Sequence, residues 1–184
     1  MKREKALNLL KEKLSNQNLI KHSLAVEAVM EGLASHFNED KEKWALAGLL
    51  HDIDYDMVKN DMSKHSLLGA EILKENGIEE GICNAVKVHN EIHGIEPKTL
   101  MEKSLYLSDP LTGLIVASAL VLPSKKIGDL TIENVLRRFK EGAFARGANR
   151  EIIGKCEELL NLKLEEFIRI GLVSMQGISD EIGL

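Results

Sequence analysis

Apolar residues return at intervals of three and four along almost the whole chain, and nowhere do they alternate with polar ones over the length of a strand. That period predicts helices over about Lys2 to Leu14, Leu19 to Phe37, Lys41 to His51, Met62 to Glu75 and Glu79 to His93. It continues over Leu100 to Ser108, Leu111 to Val121, Ile132 to Phe139 and Arg150 to Ile178. Breaks fall at residues that favour turns: Asn16 and Asn18, Asn76-Gly77, Gly94 with Pro97, and Pro123-Ser124. The expected fold class is all-α, a compact helical bundle forming one domain. Residues 18–122 form its core, and residues 123–184 a basic, helical extension packed on that core.

Composition changes the setting more than the fold. At 184 residues with a net charge of −5, the chain gives no global reason to bind nucleic acid or an anionic membrane. The most apolar run, Leu111 to Leu122, contains Thr112, Gly113 and Ser118 and falls short of the roughly 18 residues that span a bilayer, so no membrane partner is expected. The opening MKREKALNLLKEKL is a charged amphipathic helix without the apolar heart of a signal peptide. Cys83 and Cys156 are isolated, with no CxxC spacing. A cytoplasmic location follows as the simplest expectation.

The histidines carry the chemistry. His22 shares a helical face with Val26, Val29 and Leu33; His51 with Trp44, Ala47 and Gly48; His65 with Leu68, Gly69 and Ile72. The stripe Ile82, Ala85 and Val86 carries both His89 and His93, whereas His36, beside Phe37 at a helix end, is expected at the surface. One inward histidine is usually a hydrogen-bonded core residue. Five on four helices are explained together by one metal-lined pocket. Asp52, next to His51 at a helix end, and Asp109, before Pro110, add carboxylates. Imidazole and carboxylate donors suit one or two divalent ions, Mn, Fe, Ni, Co, Zn or Mg, with no thiolate to select softer metals.

These residues, His22 in KHSLAV, His51-Asp52 in LLHDID and Asp109 in LYLSDP, resemble the four metal positions of the HD-domain superfamily of metal-dependent phosphohydrolases over about Asn18 to Leu122. His65 in KHSLLGAEIL and His89 in AVKVHNEIHG resemble the extra histidines of branches that hold two metals. Those branches include bacterial diadenosine tetraphosphate hydrolases and, more distantly, cyclic-dinucleotide phosphodiesterases. The resemblance implies a helical HD-domain bundle with a six-ligand dinuclear centre. The chain also departs from the pattern: HDID stands for HDIG, Asn90 occupies the place of a second histidine of the cyclic-dinucleotide enzymes, and their GYP element is absent.

The function so implied is hydrolysis of a phosphate ester or anhydride of a small phosphorylated compound, a nucleotide above all, by metal-activated water. Asp52 is the central catalytic carboxylate. Asp54, Asp56 and His93 are candidate proton donors, with His93 placed near the substrate because it follows His89 by four residues. Residues 125–150 hold seven Lys or Arg against three Asp or Glu, so Lys125, Lys126, Arg146 and Arg150 are candidate substrate-binding residues. The glycine-bearing loop GAFARGANRE is the expected phosphate clamp. A di-iron oxygenase of the same superfamily and a non-catalytic helical metal-binding or interaction module are the alternatives. A small phosphorylated substrate is the expected partner, nucleic acid is not, and the reading accommodates a homo-oligomer.

Overall fold

The computed structural model describes all 184 residues and contains helices, three 3-10 turns and loops, without a strand. The first helices are α1 (Arg3–Lys13), α2 (Gln17–Phe37), α3 (Lys41–Leu50), α4 (Tyr55–Val58), α5 (Leu67–Glu75) and α6 (Glu80–Val88). They are followed by α7 (Leu100–Leu120), α8 (Ile132–Lys140), α9 (Arg150–Gly154), α10 (Cys156–Leu160), α11 (Leu164–Gln176) and α12 (Ser179–Ile182). Side-chain caps set the starts of the long elements. Asn16 accepts from Asn18 N before α2, Asp40 accepts from Lys43 N before α3, and Thr99 and Glu102 form a reciprocal capping box at α7.

Helix α2 is central and packs against α3, α7 and α11. One cluster of 45 buried hydrophobic residues runs from Ala6 to Ile182, so residues 123–184 share the core rather than decorate it. Gly171 shows how closely α11 is seated: a Cβ there would lie 2.9 Å from Leu111 Cδ2 of α7.

The helices differ from the periodic pattern in four places. The two segments expected on either side of Asp109 are one helix, α7, which runs through Pro110. Proline costs that helix the bond to the Tyr106 carbonyl, but Leu105, Leu107, Leu111, Leu114 and Ile115 are fully buried around it and hold the helix together. The segment expected over Met62 to Glu75 is broken at His65-Ser66, where Ser66 takes φ 71°. The one expected over Glu79 to His93 ends at Val88 and gives way to a 3-10 turn, Glu91–His93. The helix expected over Arg150 to Ile178 is three helices, α9, α10 and α11, with a left-handed residue, Asn161 (φ 55°), between α10 and α11. No helix is long and apolar enough to cross a membrane.

Candidate metal centre

Six side chains reach one place. His22 projects from α2, His51 closes α3 with Asp52 in the turn behind it, His65 precedes α5, His89 closes α6, and Asp109 lies midway along α7. Helix α3 approaches α2 because residue 48 is glycine: a Cβ there would sit 2.8 Å from Glu27 Cα, Glu27 N and the Val26 carbonyl oxygen. One turn on, His51 Nε2 meets His22 Nε2 at 3.2 Å. Asp109 Oδ1 lies 2.9 Å from His22 Nε2 and 3.9 Å from His51 Nε2. Asp52 divides its carboxylate between two groups. Its Oδ2 is 3.3 Å from His51 Nε2 and 3.8 Å from His22 Nε2, while its Oδ1 is 3.2 Å from His65 Nε2 and 3.6 Å from His89 Nε2. The ligand atoms of His22, His51 and Asp109, and those of His51, Asp52 and His89, form groups within 4.8 Å that can hold a metal.

The outer nitrogens of the four imidazoles determine what the inner ones offer. His51 Nδ1 donates to the Gly48 carbonyl at 2.8 Å and His89 Nδ1 to the Val86 carbonyl at 2.6 Å. A carbonyl only accepts, so each Nδ1 carries the hydrogen. His65 Nδ1 donates to Asp54 Oδ1 at 2.9 Å. Thr112 spends its own hydrogen on the Asp109 carbonyl at 2.8 Å and accepts from His22 Nδ1 at 3.2 Å. All four neutral rings then turn an Nε2 lone pair toward Asp52 and Asp109. A shell of acceptors facing acceptors repels itself unless cations stand between them, and the fixed tautomers are those a metal needs. The donor set fits one or two divalent ions.

Protons answer the same demand when metal is removed. Burial works against a charged His51, but the neighbouring Asp52 carboxylate outweighs it and carries the pKa up to about 9. His65 is likewise opposed by burial and pushed up to about 10 by Asp52 and Asp54. Burial favours a neutral Asp52, yet His51, His65 and His89 hold it well below the usual carboxylate range. Asp109 is lowered too, against its burial, by His22.

A cavity of about 420 Å³ opens onto the centre. Its floor is His22, His65, His89 and Asp109; α7 supplies one side with Tyr106, Pro110 and Gly113; and the loop before α9 supplies the other with Ala145, Gly147 and Ala148. The glycine-bearing loop therefore does fold back on the pocket. It does so with small side chains.

Several candidates stand elsewhere than expected. Asp54 is fully buried behind His65, where its Oδ1 takes the His65 hydrogen and its Oδ2 accepts from Ser66 N at 2.8 Å and Gly69 N at 2.9 Å. It holds the start of α5 and orients His65, and it does not line the cavity. His93 is carried off the His89 face when α6 ends, and its Nε2 donates to the His65 carbonyl at 2.6 Å, which places it outside the cavity lining. Asp56 accepts from both Ser15 N and Ser15 Oγ at 2.7 Å, tying the loop after α1 to α4. Arg150 turns its guanidinium inward to six carbonyls, those of Arg138, Phe139, Glu141, Phe144, Ala145 and Ala148. It builds the loop and does not line the cavity. Lys125 and Lys126 are exposed past the end of α7, and that end lies roughly 16 Å along the helix from Asp109 at about 1.5 Å per residue. Arg146 is exposed on the loop whose neighbours Ala145 and Gly147 line the cavity. Thr112, Tyr106 and Glu91 carry no sequence signal that marks them for the site, whereas Asn149 belongs to the loop expected as the phosphate clamp and does line the cavity.

The HD domain family matches the chain over residues 19–117. The chain is 31% identical over 139 residues to ribonuclease Y of Lawsonia intracellularis, an alignment covering 74% of this chain and 26% of that one. It is 31% identical over 186 residues to ribonuclease Y of Thermosipho melanesiensis, covering 90% of this chain and 34% of that one. An uncharacterized protein of Methanocaldococcus jannaschii is 33% identical over 152 residues, 77% of this chain and 86% of its own. The chain thus spans about a third or less of the ribonuclease Y chains it matches. No solved structure matches.

Proposed function

Because this chain belongs to the HD domain family, we propose that it is a metal-dependent phosphohydrolase acting on a phosphate ester or anhydride of a small compound, a nucleotide above all. The observation that carries this reading is the convergence of four Nε2 lone pairs on Asp52 and Asp109, with every Nδ1 hydrogen tied outward. Divalent ions bound there supply a Lewis acid for a phosphoryl oxygen, a water of lowered pKa, and a positive charge that two carboxylates do not cancel. His22, His51 and Asp109 would hold one ion, His65 and His89 the other, and Asp52 both. Thr112 and Asp54 keep His22 and His65 in the tautomer that leaves Nε2 free. The reaction balances as water plus ester: the water oxygen bonds to phosphorus, the phosphorus–oxygen bond to the leaving group breaks, and a water proton ends on the leaving oxygen. No covalent nucleophile is needed, and Cys83 and Cys156 are buried outside the cavity lining. A cytoplasmic location belongs to the same reading.

The similarity to ribonuclease Y favours a second reading, in which the ester is a phosphodiester of RNA. Elemental analysis of purified protein, then a screen of nucleotides, sugar phosphates, p-nitrophenyl phosphate and RNA with each metal added, tests both. Up to two metal equivalents and release of a phosphate product are expected, both lost in Asp52→Ala. A folded protein that binds no divalent ion ends the reading.

A further inference from the structure

The cavity outside the metal centre is uncharged apart from one carboxylate. Seven Lys or Arg lie between residues 125 and 150, yet none lines it. Arg150 is consumed by backbone carbonyls and Lys125 and Lys126 lie beyond the far end of α7. Arg146, exposed between Ala145 and Gly147, does not line it either, and the charged group that lines the cavity outside the centre is Glu91, whose Oε1 and Oε2 both accept from Asn149 Nδ2, at 3.1 and 3.0 Å. This contact joins the 3-10 turn after α6 to the loop before α9, and it sets a negative charge over the mouth. Beside it, the Tyr106 hydroxyl is raised in pKa by burial and by Glu91, and Asn90 adds a further amide to the lining.

The wall opposite the loop contains Gly113, inside α7, where an added Cβ would meet no atom within 4 Å. Glycine there leaves bare helix backbone against the cavity, the condition for close approach of a ligand. Facing it are Ala145, Gly147 and Ala148. The space between these small residues is of the size that takes a small molecule.

We propose that the cavity takes a phosphomonoester: one phosphoryl group at the metal centre, and an uncharged, hydroxyl-bearing leaving group of nucleoside size between Gly113 and the 145–149 loop, with Glu91 selecting against additional phosphates. This rests on the phosphohydrolase reading above. A second or third phosphate would find no cation in the cavity and would approach the Glu91 carboxylate, whereas hydroxyl and amino groups find acceptors in Glu91 and Asn90 and a partner in Tyr106. The part of a polynucleotide that entered the cavity would likewise find no cation there for its phosphates.

The test uses the full-length, metal-loaded protein with p-nitrophenyl phosphate, a nucleoside 5′-monophosphate, the matching triphosphate and a short oligoribonucleotide, following orthophosphate, nucleoside and shortened RNA. The monophosphate should exceed the triphosphate and the oligoribonucleotide in kcat/KM by about tenfold or more, and Glu91→Lys should reduce the monophosphate-to-triphosphate ratio by about tenfold. Gly113→Leu should weaken the nucleoside monophosphate by about tenfold while orthophosphate, which needs only the centre, still binds by calorimetry. A preference for triphosphate or RNA, or a ratio that Glu91→Lys does not change, overturns the inference while turnover of p-nitrophenyl phosphate keeps the broader reading. If the metal-loaded protein hydrolyses none of the four, the broader reading fails and the inference fails with it.

Discussion

Replacing Asp54 by asparagine changes one atom and reverses what His65 can offer. The carboxylate accepts three hydrogen bonds, from His65 Nδ1, Ser66 N and Gly69 N; the amide has one oxygen left to accept with. Turning that oxygen toward the two backbone donors keeps two bonds, and turning it toward His65 keeps one, so the first arrangement wins. The amide NH2 then faces His65 Nδ1, which must give up its hydrogen and accept. The hydrogen moves to Nε2, 3.2 Å from Asp52 Oδ1, and the lone pair that would bind metal is gone. Restoring it breaks the new bond and sets two donors face to face, a cost of about 1–3 kcal/mol. At about 1.4 kcal/mol per tenfold, affinity at the His65–His89 side should fall about 10- to 100-fold, the usual loss when such a partner is removed. His22, His51 and Asp109 do not touch Asp54, so one ion should bind as before. Titration against a competing chelator, with circular dichroism to confirm folding, reads both affinities. Two ions bound as tightly as in the wild type would refute the tautomer reasoning.

Gly48→Ala forces a methyl group into Glu27 and Val26 backbone at 2.8 Å; thermal denaturation should show a loss of about 1–3 kcal/mol, with weaker binding of the His22–His51 ion as the two helices part. In chelator-treated protein, His51 and His65 have pKa values raised above the unfolded value of about 6.5, so the stability they contribute is complete below that pH and is lost as pH rises through about 9 to 10. His51 alone carries on the order of 3 kcal/mol of this, and urea unfolding at pH 6 and pH 10 should show the fall. The lowered Asp52 and Asp109 act in the opposite sense, losing their contribution as pH falls below the usual carboxylate range. Arg150→Ala should cost about 2–4 kcal/mol by leaving half-buried carbonyls unpaired, and Arg150→Lys should not rescue it, since an ammonium cannot span six acceptors. Lys125→Ala with Lys126→Ala should leave kcat/KM within about twofold at low and high salt, because rim-distant exposed charges are screened; a clear rise in KM would return those lysines to the site.

His22, His51 and His89 were readable as candidate ligands because each is tied to local helix geometry. His22 lies on the inward stripe of α2, and His51 and His89 each close a helix, where the Nδ1 hydrogen finds the carbonyl three residues back, Gly48 or Val86. Such bonds need only helix periodicity, which sequence spacing encodes directly. The all-α architecture was legible for the same reason. The period failed where it was carried past an end: His93 shares the spacing of His89, but the helix between them stops at Val88.

What only the tertiary structure decided are the long-range donors, acceptors and distances. Asp54 looks like a loop carboxylate until α5 is built on it, with its partners 11 to 15 residues away. Arg150 reads as a phosphate-binding cation, yet six carbonyls from the end of α8 and the loop after it surround its guanidinium first, and half-buried backbone oxygens left unpaired would cost more than a surface phosphate contact returns. Lys125 and Lys126 follow the helix that carries Asp109 but lie beyond its far end, because α7 continues through Pro110 under the burial of its neighbours. Glu91 and Asn149 meet across 58 residues. Hydrophobic period and helix-end chemistry are local quantities, and the sequence determines them by itself. The partner of a charged side chain depends on which elements are packed beside it, and that exists only once the chain has folded.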